Sequence, residues 1–374
     1  MSQQATIPAV TPQSAFEIAC GLILARLPFM FVGLPGSTKT ATIERATNFV
    51  GYDLIVSHPV VKQPEDFGGI PYPNKERTAA DYLAVGDMRK AMCVTRPTVW
   101  YLDDLGSGVD ERVQAAVMQL LLARELDGKK LPDCLTLCAA SNRRGDRAAV
   151  RGILENVKSR FVTILELLPS LKEWEDNFAF TDLPDTEDTI CLVGFLRENP
   201  NSFCDFRPSA DMDQSPTART WHNVSKIMEA ARLHGLGSRA NEEATIRGAV
   251  GHAHGTAFNA YRQMWTEGVP QAVDGIFADP EAFGIANAKP GVMFGVSTAL
   301  VHRATVDDAP AVCRFAERCL EEVRGEFTSL ICRDAEKRNA ALVDTLAWTA
   351  MLKTPVGALL NGRDLLDDGD VILP

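Results

Sequence analysis

At 374 residues the chain exceeds the usual size of one domain, so two or three domains around a large core are expected. Its 46% hydrophobic and 23% charged residues are the balance of a globular protein, and a net charge of −11 argues against a surface built to coat nucleic acid or anionic membrane. Nine scattered cysteines fit no closed disulfide framework, and no apolar run reaches the roughly 18 residues of a membrane span.

The N-terminus, MSQQATIPAVTPQ, has neither the basic residues nor the apolar core of a signal peptide, so a cytoplasmic protein is expected. Residues 1–13 read as a loose arm. From Ser14 a helical pattern carries Ala15, Phe16, Ile18, Ala19 and Leu22 inward until Pro28 breaks it. The apolar strand Phe29-Met30-Phe31-Val32 leads into GLPGSTKT at 33–40, and a helix is expected from Ala41. A phosphate cradle needs this order: a strand, a sharp turn whose N–H groups converge on the anion, then a helix N-terminus. Of the pattern G-x-x-x-x-G-K-[ST], Gly33, Lys39 and Thr40 are in place, with Gly36 inside the loop; Thr38 stands at the second glycine.

A second strand is expected at 53–56, then Gly and Pro punctuate PVVKQPEDFGGIPYP before the mixed segment ADYLAVGDMRKAM. TVWYLDD (98–104) is an apolar strand ending in Asp103 and Asp104. Its end places two carboxylates at the carboxyl edge of a sheet, where open α/β sheets bind ligands. The first suits Mg²⁺ through its water shell, the second suits orientation of an attacking water. A helix over 109–126 and a strand over 134–142 follow, the latter ending in Ser141-Asn142, an amide that could reach the same γ-phosphate. Ser159-Arg160-Phe161 precedes the strand VTILEL. This alternation predicts an α/β fold, a parallel sheet sandwiched by helices.

Beyond residue 167 the pattern is helical, at 184–198, 215–235, 241–264, 292–303, 309–323 and 333–352, with loops expected at 203–214 and 266–284. In SPTARTW, Ser215 reads as an N-cap, Pro216 as the first helical residue and Arg219 as part of the first turn.

Taken together, GLPGSTKT, the acid pair, AASNRRGDRAAVRGILENVKSRF and SPTARTW resemble the AAA+ ATPases, and within them the MoxR-like branch, over about residues 10–235. The resemblance implies a P-loop NTPase domain at 1–167, an all-α lid at 168–240 and a C-terminal helical region at 241–374. It implies that Gly33, Pro35, Gly36, Ser37, Thr38, Lys39 and Thr40 form Walker A and bind ATP, and that Asp103 and Asp104 form Walker B. Thr40 and Asp103 would serve Mg²⁺. Asn142 matches sensor 1, Arg160 the arginine finger and Arg219 the sensor 2 arginine. The segment from VKQPEDFGGIPYP resembles the family's insertion in its second helix, which lines the ring pore.

The implied activity is ATP hydrolysis by a homo-oligomer, expected to be a hexamer, acting as a chaperone-type motor on a protein client. A von Willebrand A-domain protein is an implied partner; no membrane association and no nucleic acid are expected. Two departures stand out: a side chain at Thr38 where backbone approaches phosphate, and Asp104 in place of Glu, one methylene shorter. They predict nucleotide binding with slow hydrolysis. Two alternatives therefore stay open, a slowly hydrolysing ATP switch or scaffold, and a nucleic-acid-remodelling AAA+ protein.

Other residues carry blander expectations. His252 and His254 lie about 200° apart on a helix, so no shared metal is expected. Cys134 with Cys138, and Cys313 with Cys319, lack metal-site spacing. The arginines at 143, 144, 147 and 151 are expected at a subunit interface, and Trp221, Trp265 and Trp348 in the core.

Overall fold

In a computed structural model that describes residues 7–106, 108–126, 128–143, 152–181, 183, 186–208, 211–323 and 325–363, the alternating strands form a six-stranded, all-parallel sheet. Two compact units divide the chain: Met1–Glu173 with Phe206–Ala210, and Trp174–Asp205 with Asp211–Pro374.

The first unit begins with β1 (Ala9–Val10), α1 (Pro12–Leu24), β2 (Phe29–Val32), α2 (Lys39–Phe49) and β3 (Asp53–Ser57). Next come α3 (Pro64–Gly68), β4 (Ile70–Pro73), β5 (Ala80–Leu83) and α4 (Gly86–Met92). It continues through β6 (Thr98–Leu102), α5 (Glu111–Ala123), β7 (Glu125–Leu126) and β8 (Lys129–Lys130). It closes with β9 (Leu135–Ser141), α6 (Glu155–Lys158) and β10 (Thr163–Leu167). The order across the sheet is β1-β10-β2-β9-β6-β3.

Period-2 alternation sends neighbours to opposite faces. Phe29 and Phe31 pack with Phe16 and Ile43 of α1 and α2, while Met30 and Val32 pack with Phe67, Val113 and Val117 of α3 and α5. The α/β sandwich expected from the sequence is therefore present.

The chain departs from expectation in three places here. Within the stretch expected as a loose arm, Ala9 and Val10 pair in parallel with Glu166 and Leu167 as an edge strand. α1 starts at Pro12 rather than Ser14, because Thr11 caps it, its hydroxyl accepting the Ser14 N–H. The segment after VKQPEDFGG is an antiparallel β4–β5 hairpin whose strand residues are all exposed, Tyr72 and Leu83 among them.

At the boundary lies α7 (Leu171–Trp174). The second unit is helical: α8 (Glu187–Glu198), α9 (Ala218–His234), α10 (Arg239–Val250), α11 (His252–Ala278) and α12 (Pro290–Arg303). It goes on through α13 (Ala309–Glu322), α14 (Gly325–Arg338), α15 (Ala340–Val343), α16 (Leu346–Met351) and α17 (Pro355–Arg363). Trp221, Trp265 and Trp348 are all buried in it, as expected.

The expected loop at 266–284 is mostly helix, since α11 runs to Ala278 through Pro270. The proline removes one ladder bond, but Val269, Val273 and Ile276 are buried on the same helix and hold it. Conversely, Gly251 at φ +84° parts α10 from α11, and the pattern over 333–352 breaks near Asn339 and Thr345.

At the centre of this unit Arg197 is buried between two carboxylates. It donates to Glu175 at 2.7 and 3.1 Å and to Asp334 at 2.5 and 2.9 Å, with Thr298 at 2.9 Å. Burial alone would push the Asp334 carboxyl up, but the Arg197 guanidinium overrides it and holds that carboxyl below its usual range. Among the described residues no helix is long and apolar enough to cross a membrane.

Candidate nucleotide site

The carboxyl ends of β2, β9 and β6 lie side by side, and each delivers part of one cluster. After β2 the chain turns through Gly33–Thr38 into α2, which starts at Lys39 rather than Ala41. Gly33 is required by space: a Cβ there would meet the Leu167 carbonyl oxygen at 2.7 Å and Ser37 Oγ at 2.9 Å. Gly36 sits at φ +75°, which glycine adopts freely.

Lys39 is buried, and its ammonium donates to the Gly33 oxygen at 3.0 Å, the Leu34 oxygen at 2.8 Å and Asn142 Oδ1 at 3.0 Å. Ser37 Oγ and Thr38 Oγ1 are buried with no hydrogen-bond partner among the described residues. Orphaned hydroxyls cost about 1–3 kcal/mol each unless a ligand pairs with them. A loop carrying two of them beside a lysine and a helix N-terminus fits a phosphate chain.

Asp103 follows β6 directly. Its Oδ2 accepts the Thr40 hydroxyl at 3.0 Å, and its Oδ1 accepts the Tyr101 hydroxyl at 2.7 Å and the Asp104 N–H at 3.1 Å. One carboxylate next to one hydroxyl fits Mg²⁺, which keeps several waters and takes its other ligands from phosphate. Asp104 stands at φ +56° and its Oδ1 accepts from Asn142 Nδ2 at 3.1 Å. Because β9 lies between β2 and β6, Asn142 bridges the lysine and the second acid through opposite ends of one amide.

Two neighbours escaped the sequence reading. Tyr101 reads as an apolar strand residue, and it is fully buried, yet its hydroxyl serves Asp103; burial first, then the Asp103 charge, pushes its phenol well above the usual range. His58, exposed after β3, places Nδ1 3.9 Å from Asp103 Oδ2.

The arginines fall elsewhere. Arg160 lies in the turn before β10, where the Val162 N–H donates to the Pro28 oxygen at 2.8 Å, at the amino edge of the sheet and opposite the phosphate loop. Its Nε is buried and unpartnered among the described residues. Arg143 pairs with Glu166 at 2.9 Å; the arginines at 144, 147 and 151 lie outside the described residues.

Arg219 belongs to the second unit and is exposed in the first turn of α9. The cap of that helix is Thr217, not Ser215: the Thr217 hydroxyl accepts the Thr220 N–H at 3.3 Å, and Thr220 returns the bond to the Thr217 N–H at 2.8 Å. Of the histidines, His254 bonds to Ser202 Oγ at 3.1 Å and Asp205 Oδ2 at 3.2 Å, while His252 opens α11 on an exposed face.

Thr38 is a β-branched residue at φ +66°, a left-handed conformation that costs on the order of 1–3 kcal/mol. Glycine there removes the strain and the orphaned hydroxyl, against about 0.5–1 kcal/mol of added unfolded-chain entropy. Thr38→Gly is therefore expected to stabilise the protein by about 1 kcal/mol. Urea unfolding checks this; a lower midpoint would show that the threonine side chain is the better choice.

No known family profile and no curated protein matches the chain. Among solved structures it is similar to NtrX from Brucella abortus in complex with ADP, at 12% identity and a TM-score of 0.38, covering 87% of this chain and 68% of that one. It is similar to the same protein in complex with ATP, at 12% identity and a TM-score of 0.36, covering 62% of this chain and 52% of that one. A third is the Holliday junction branch migration motor RuvB of Thermotoga maritima, at 13% identity and a TM-score of 0.32, covering 92% and 86%. The chemistry of the site therefore has to come from its own residues.

Proposed function

We propose that the chain is an AAA+ ATPase of the MoxR-like branch, a motor that hydrolyses ATP and works on a protein client as a homo-oligomeric ring. The observation that carries this reading is the bonded path Lys39–Asn142–Asp104–Asp103, with Thr40 on Asp103, across three adjacent strand ends. In this reading Lys39 leaves its carbonyl partners for the β- and γ-phosphates, and Ser37 and Thr38 acquire acceptors. Thr40 and Asp103 would hold Mg²⁺, which when bound neutralises charge on the phosphate oxygens. Asp104 orients the attacking water, and Asn142 holds Asp104 in register with the lysine.

Arg160 supports the ring. It lies at the amino edge of its own sheet, the edge opposite its own loop, so a finger role means serving a neighbouring subunit. Arg219 would act from the lid, 168–240, and the exposed β4–β5 hairpin would face the pore. The helices after residue 240 would either bind the client or complete the assembly, and a von Willebrand A-domain protein is the partner type that the resemblance implies. A second reading, an ATP switch with slow turnover, is favoured by one observation: Asp104 is short, left-handed and tied to Asn142.

Light scattering after size exclusion tests the ring. The expected result is a six-subunit mass with ATP and Mg²⁺ and smaller species without nucleotide, because a ligand bound only at an assembled interface favours assembly by mass action. A strictly monomeric protein in saturating ATP would end the ring reading, and turnover measured beside binding separates motor from switch.

A further inference from the structure

Tyr101 is two residues before Asp103, and residues two apart on a strand share a face. Its ring is fully buried between the sheet and α1–α2, so the hydroxyl has no freedom to follow the carboxylate; the carboxylate must come to it. That hydroxyl reaches Asp103 Oδ1 at 2.7 Å and lies 3.4 Å from Thr40 Oγ1. Carboxylate rotation about its last bond is soft, and hydrogen bonds decide which oxygen points where. With the phenol and the Asp104 N–H both on Oδ1, Oδ2 is left to face Thr40.

We propose that Tyr101 is a positioning residue for divalent-cation binding, fixing the Asp103 carboxylate so that Oδ2 alone faces the cation beside Thr40. This rests on reading the cluster as a Mg²⁺–nucleotide site. Partners that orient a metal ligand from behind typically matter by about 10–100-fold in metal affinity.

The test uses the full chain with Mn²⁺ as the probe, titrated by electron paramagnetic resonance in saturating ADP, alongside ADP binding in EDTA. Tyr101→Phe keeps the ring in the core, so the fold is expected to survive. It should weaken Mn²⁺ by roughly 10-fold while metal-free ADP affinity stays unchanged. In an Asp103→Asn background the same substitution should change Mn²⁺ affinity no further, because the group it positions is gone.

Equal Mn²⁺ affinity for wild type and Tyr101→Phe, with ADP bound normally, would overturn the positioning role and leave the nucleotide site standing. An equal Mn²⁺ loss in both backgrounds would also overturn it, since the effect would then be general softening of the fold. Failure of the wild-type protein to bind ADP at all would overturn the nucleotide reading itself, and this proposal with it.

Discussion

Lys39→Ala is expected to raise the dissociation constant for ATP by about 10- to 150-fold, because one charged donor to phosphate contributes about 1.5–3 kcal/mol and the loop loses its only ammonium. The fold should persist. The turn is held independently by the Gly33 N–H to the Ser141 oxygen at 3.2 Å, the Ser37 N–H to the Leu34 oxygen at 3.2 Å and the Thr42 N–H to the Thr38 oxygen at 2.8 Å. Three oxygens lose a donor, the Gly33 and Leu34 carbonyls and Asn142 Oδ1, and none of the lost bonds is among those that hold the turn. Calorimetry on a protein shown by circular dichroism to be folded decides the matter. Near-native ATP affinity there would sink the phosphate-loop reading.

Asp104→Asn is expected to bind ATP normally and to lose turnover by about 100-fold or more, the usual scale for a positioned base. The substitution is well chosen for the backbone, since asparagine tolerates the left-handed conformation at φ +56° as well as aspartate does. Arg160→Ala should show the same pattern, binding without turnover. If the arginine serves a neighbouring subunit, mixing the two inactive proteins rebuilds complete sites at mixed interfaces and restores part of the activity. Mixed rings without any rescue would count against a shared site.

Much of the site was legible because its parts are local signals at strand ends. An apolar strand, a glycine turn and a lysine at the start of a helix mark one edge of the sheet; an apolar strand closing on two acids marks the same edge again. What escaped was what depends on partners far along the chain. Ala9 and Val10 are too few to show a period, and become a strand only because Glu166 and Leu167 offer an edge.

Pro270 and Gly268 argue locally for a loop, and tertiary burial of Val269 and Val273 outweighs them. Tyr101 in an apolar strand reads as core and is core; its second task appears only once Asp103 is seen on the same face. Thr217 outcompetes Ser215 as a cap because it sits three residues before Thr220, which can answer its bond.

The buried Arg197 has a consequence measured in seconds. Its partner Asp334 is 137 residues further along the chain, while Glu175 precedes it by 22. A nascent chain elongates at about 5–20 residues per second, so the arginine waits about 7–27 s, paired on one side only, before its second carboxylate leaves the ribosome. During that interval α8 cannot be sealed in its final environment, and the helices made in between remain accessible to whatever holds unfinished chains in the cell. Asp334 on α14 is thus the group that completes the second unit's buried charge cluster, and a message cut short before α14 would leave Arg197 with Glu175 but without its second carboxylate.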